Sequence, residues 1–65
     1  MLEVEQALLA EKFQQLLDNE QQAVKTYRTL LEQTREGEVR AQLEMLVREK
    51  QRHVELATRL LEIME

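Results

Sequence analysis

Apolar residues recur along this chain at alternating steps of four and three. From Leu9 the stripe runs through Phe13, Leu16, Glu20, Ala23, Tyr27, Leu30 and Thr34, the a and d positions of a helix with one apolar seam. A second stripe takes the same steps through Val39, Leu43, Leu46, Lys50, His53, Ala57, Leu60 and Met64. Between Thr34 and Val39 the step is longer and the phase slips, which a continuous helix would not allow. The pattern therefore predicts two helices, one over about residues 3–36 and one over about 38–65, joined by a turn at about 34–38. Glu3 and Glu5 suit the positive end of the first helix dipole, and Gly37, the only glycine, suits a left-handed cap at its C-terminus. A single long helix with a local irregularity is the competing reading, since one glycine costs a helix only about 1 kcal/mol.

If the two stripes pack as an antiparallel hairpin, the numbers of facing residues add to a constant. Setting Thr34 opposite Val39 puts Leu30 with Leu43, Tyr27 with Leu46, Ala23 with Lys50, Glu20 with His53, Leu16 with Ala57, Phe13 with Leu60 and Leu9 with Met64. The polar members of the two seams then share neighbouring layers, and a slip of one heptad would strand all three. Leu2 continues the first stripe past the reach of helix two, so the first turn overhangs its partner.

Both helices carry more apolar surface than one neighbour can cover. Ala10, Leu17, Val24 and Leu31 run beside the first seam; Val47, Val54 and Leu61 flank the second on one side, Leu56 and Ile63 on the other. Two hairpins related by a two-fold axis would bury these flanks as a four-helix bundle.

Composition narrows the function classes. The chain has 65 residues, no proline, no cysteine and two aromatic residues, which excludes a disulfide framework and any ordinary sheet protein. A domain of this size buries only about 60% of the surface its unfolded chain exposes, and self-association is the expected remedy. Thirteen acidic and nine basic residues give a net charge of −4, against the basic footprint of a nucleic-acid binder. Arg40, Arg48, Arg52 and Arg59 alternate with Glu44, Glu49, Glu55 and Glu62, a solvated face laced with pairs one turn apart. The longest apolar run is Ala7 to Ala10, so no segment reads as a signal peptide or a membrane span. The expectation is a soluble, cytoplasmic protein with no nucleic-acid or membrane partner. Without cysteine, serine, a glycine-rich loop or a second histidine, nucleophilic triads, phosphate loops and zinc fingers are excluded.

The chemistry that remains is in the two seams. The run from Glu20 to Tyr27, a short turn, Val39 to Glu44, and then Glu49-Lys50-Gln51-Arg52-His53 resembles the ferritin-like superfamily, in particular rubrerythrin-type domains and the short encapsulated ferritins. The resemblance covers about residues 16–63. It implies an all-α fold in which an antiparallel two-helix hairpin self-associates into a ferritin-like four-helix bundle with a metal centre completed across the dimer. Carried over, Glu20 matches the ligand of the first helix, His53 the ligand of the second, and Tyr27 a tyrosine near the centre. The family's bridging carboxylate lies three residues before the histidine, where this chain has Lys50; Glu49 is the nearest carboxylate.

Charge arithmetic makes that substitution interpretable. With Lys50 present, each protomer brings one negative and one positive charge to the layer, and a core that pairs its own charges needs no cation. The Lys50 ammonium is expected in the space a metal would fill, hydrogen-bonded to Glu20. Three readings stay open. The leading one is an assembly or structural protein, a homodimer or higher homo-oligomer with a degenerate di-metal site and no cofactor. The second is a ferroxidase or iron-storage protein in which a rotated helix two brings Glu49 to Glu20 and His53 to hold iron, manganese or zinc. The third is a coiled-coil interaction module whose open flank takes a different protein. Glu20 with His53 also makes an ordinary core hydrogen bond, and Tyr27 an ordinary seam residue.

Overall fold

The computed structural model describes residues 2–64, and of Leu2 only the backbone. Two helices and no strand occur among them, α1 over Leu2–Gln33 and α2 over Gly37–Met64, lying side by side as an antiparallel hairpin. The rod measures 53 × 14 × 12 Å. Neither helix is long and apolar enough to cross a membrane. The expected overhang at Leu2 and the final Glu65 of helix two fall outside the described side chains and residues.

The turn is tighter than the sequence pattern suggests. α1 stops at Gln33 and only Thr34, Arg35 and Glu36 lie between the helices. Thr34 closes α1, its amide donating to the Leu31 carbonyl at 3.2 Å and its hydroxyl to that of Leu30 at 2.6 Å. Glu36 opens α2: its carboxylate accepts the amides of Glu38 at 3.1 Å and Val39 at 2.8 Å, the otherwise unpaired donors of a first helical turn. Arg40 then reaches back, its Nη1 donating to the carbonyls of Leu31 at 2.8 Å and Thr34 at 3.1 Å. One helix end is thus capped by a carboxylate and the other by a guanidinium from across the turn.

Gly37 accordingly differs from its expected role. It is the first residue of α2 rather than a left-handed cap, and it has no positive φ. The reason is the side chain before it: with Glu36 satisfying the α2 amides and Arg40 the α1 carbonyls, no left-handed residue is needed to end α1.

The contact between the helices is also turned from the expected seam. Among the described residues the buried ones are Leu17, Val24, Val47 and Ala57, so three of four come from the flanking stripes. Leu9, Leu16, Leu30, Val39 and Leu60, which the seam reading placed between the helices, are between 39% and 50% exposed. Each helix is rotated so that its flanking stripe, Leu17 and Val24 on α1 and Val47 on α2, is buried against the other. Leu9, Leu16, Leu30, Val39 and Leu60 now line one open side of the hairpin, while Phe13, Tyr27 and Leu43 stay half-buried and Ala57 buried. The opposite side is an open groove with Val24 and Val54 at its floor and Gln21, Lys25 and Arg28 of α1 and Gln51 and Glu55 of α2 along its rims.

Candidate functional site

Halfway along the open side the apolar surface is interrupted by three polar side chains. α1 supplies Glu20, and α2 supplies Lys50 and His53, three residues apart and hence neighbours on one helix face. The Lys50 ammonium donates to Glu20, with Nζ 3.4 Å from Oε1 and 3.3 Å from Oε2. His53 Nδ1 lies 3.3 Å from the same Oε2. A carboxylate offers only lone pairs, so the bond requires the proton on Nδ1. The Glu20 side chain is 14% exposed, Lys50 26% and His53 51%. Glu20 is the best sheltered because its carboxylate sits between two α2 side chains.

The antiparallel register follows from the same bonds. Glu20 meets His53 at mid-length, and Gln6 Nε2 donates to the Met64 carbonyl at 3.2 Å near the free ends. Glu20 and His53 are therefore level, as the seam spacing implies, although the seam that carries them lies at the edge of the contact rather than in its centre.

The other site residues stand apart. Glu49 is exposed, and no bond links it to Glu20 or His53. Glu44 pairs with Arg40 at 3.9 Å. Tyr27 is half-buried on the Glu20 face with no hydrogen bond from its hydroxyl to the cluster. Among the described residues no three histidine, aspartate or glutamate side chains come together as a metal-holding group.

The donor set of one protomer does not fit a di-metal centre. Such a site needs carboxylate oxygens turned toward a cation, and both Glu20 oxygens are turned toward an ammonium. Glu20 and Lys50 cancel in charge, and the imidazole adds a neutral dipole when uncharged. What the arrangement can do is hold a polar, charge-balanced layer in an apolar surface.

No family model matches this chain, and no curated protein and no solved structure is similar to it.

Proposed function

We propose that this protein is a structural assembly element: a ferritin-like helical hairpin whose open side is closed by a second copy to give a four-helix bundle, with Glu20, Lys50 and His53 as the polar layer of its core. The observation that carries the reading is a self-neutralised polar cluster in the middle of a long apolar face. A surface meant for water would not need its charges balanced so closely, whereas a layer meant for burial would, because an unpaired buried charge is costly.

Surface area supports the same reading. The chain exposes 5404 Å², where a compact protein of its mass would expose about 4,400 Å². The difference, about 1,000 Å², is close to the ~800 Å² that each partner covers in a standard interface. Polar residues in helical seams also serve to set register and copy number, and Lys50 on Glu20 suits that role in place of a metal. Iron binding or ferroxidase activity would need Lys50 to withdraw and Glu49 to enter, a rearrangement with no support in the cluster's present bonding.

Two measurements test this together. Native mass spectrometry and sedimentation should find a dimer or a multiple of one. Elemental analysis after incubation with ferrous iron, manganese or zinc should find no stoichiometric metal. A folded monomer at every concentration would instead favour a hetero-partner on the open side. Retained metal that disappears in Glu20→Ala or His53→Ala would put the ferroxidase reading first.

A further inference from the structure

The cluster at Glu20 leaves hydrogen-bonding groups over within one copy, and its height on the rod decides what can take them up. We infer that two copies complete the layer between them: Lys50 of each donates to the partner's Glu20 and the partner's His53, so that the open side recognises its own charge-balanced layer. The inference rests on the self-association proposed above and goes beyond it in naming the groups that cross the interface.

The bonding within one copy is loose. All three contacts on Glu20 measure 3.3–3.4 Å, against about 2.7–2.9 Å for an ordinary ammonium–carboxylate bond. An ammonium carries three donors and a carboxylate about four lone-pair sites. Lys50 has Glu20 as its one acceptor residue, and Glu20 Oε1 takes only the longest of the contacts. Among the described residues Nδ1 is the only ring nitrogen of His53 with a hydrogen bond. Each cluster therefore retains both a donor and an acceptor. Two such clusters facing each other across a two-fold axis are self-complementary, because the donor of each meets the acceptor of the other. Lys50 is 26% and His53 51% exposed, so a second copy can reach both.

Height on the rod brings the clusters together. Glu20 stands 18 residues after Leu2 and 13 before Gln33, and His53 stands 16 after Gly37 and 11 before Met64. Averaged over the two helices, the layer is equally far from the turn and from the free ends. A second copy laid along the full length of the open side therefore sets its layer level with the first, whichever way it points. The apolar surface demands that full overlap. Leu9 and Leu60 lie toward the free ends, Leu30 and Val39 beside the turn, and all four are between 39% and 50% exposed. Sliding one copy by a heptad would uncover one end and set Glu20 and Lys50 against an apolar layer, where their remaining groups would lose water and gain nothing. A purely apolar partner helix has the same fault.

Charge complementation tests the shared layer without regard to the direction of the copies. Lys50→Met leaves the layer its carboxylate alone, and Glu20→Met its ammonium alone. By itself, each variant brings like charges together in a dimer and should dissociate at least about tenfold more readily than the original protein. Refolded together, one chain isotope-labelled, and weighed by native mass spectrometry, the two should form the mixed dimer well above the proportion given by random pairing. Lys25→Met with Glu55→Met removes the same charges from the opposite side and should pair at random. In the unsubstituted protein, isotope-filtered NMR of mixed labelled and unlabelled copies should find Lys50 methylene protons close to protons of the partner's Glu20 or the partner's His53. Random pairing of the layer variants, a preference no greater than that of the control pair, or a dimer without those contacts overturns the shared layer and leaves self-association standing. A monomer in sedimentation overturns self-association itself.

Discussion

Lys50 on α2 straddles the carboxylate of Glu20 on α1, within 3.4 Å of both oxygens and closer to the hairpin's interior than the more exposed His53 that shares one of them. The ammonium thus holds the position from which a cation would draw on Glu20. In a dimer this gives a core with two carboxylates, two ammoniums and two imidazoles. In the proposed assembly these charges would balance without a cation.

Lys50→Glu reverses that independence. The variant would set two carboxylates and an imidazole together in each protomer, and like charges at that spacing repel. Without metal its melting temperature should fall. With manganese, ferrous iron or zinc it should recover, by about 2.7 kcal/mol when the metal is a hundredfold above its dissociation constant. Thermal melts with and without each metal check this, the unsubstituted protein serving as the control that should not respond. A variant that stays indifferent to all three metals would show that the layer cannot be opened to a cation.

Replacing both charges should separate stability from specificity. Glu20→Met alone leaves Lys50 without its partner in the closed bundle, at a cost of about 3–5 kcal/mol. Glu20→Met combined with Lys50→Met removes the desolvation cost of both groups, and the result should be neutral or more stable by about 1–4 kcal/mol. The predicted loss is uniqueness, seen as more than one oligomer in native mass spectra. A double variant with a single, unchanged mass would mean that packing alone sets the register.

Leu16 and Leu17 are adjacent in sequence and opposite in role. Leu17 is 8% exposed within one hairpin, while Leu16 is 45% exposed on its open side. Leu17→Ala should cost about 2–5 kcal/mol of folding stability. Leu16→Ala should act on association, moving the concentration at which the melting temperature starts to climb. Melts across a dilution series distinguish them, and equal behaviour of the two variants would count against a closed open side.

Much of this was legible from residue spacing. Two helices, their antiparallel register and the meeting of Glu20 with His53 all follow from where polar residues interrupt the three-and-four pattern. The rotation of the helices was not legible, because each has apolar residues across a broad arc and any part of that arc can face one partner. Leu17 with Val24 and Leu9 with Leu16 are equivalent in pattern; only packing chooses between them. Gly37 departs from the expected left-handed cap for a local reason. A glycine beside a helix break reads as a left-handed cap, yet glutamate is an uncommon cap residue, and the reach of Arg40 across the turn carries no signature in spacing.

Gly37 can be tested on that point. A β-carbon built there meets nothing within 4 Å, and the backbone is in a region open to any residue. Gly37→Ala should therefore stabilise the hairpin by about 0.4–1 kcal/mol, through a less flexible unfolded chain and better helix propensity. Destabilisation of similar size would indicate the left-handed conformation instead. Chemical denaturation of the two proteins at matched concentration decides it.

Glu36 adds a pH dependence with a definite sign. The amides of Val39 and then Glu38 stabilise its charged form and lower its carboxyl below the ordinary 4.5. A carboxylate with a depressed folded pKa gives stability that is fully present above the unfolded value and is lost as pH falls through the folded one. Glu36→Gln keeps one acceptor for the helix amides but cannot titrate. The original protein should be the more stable of the two near neutral pH, and the gap should close as the solution is acidified through the carboxylate range. Denaturation series at several pH values measure that gap; if it stays constant across them, the carboxylate is not what caps α2.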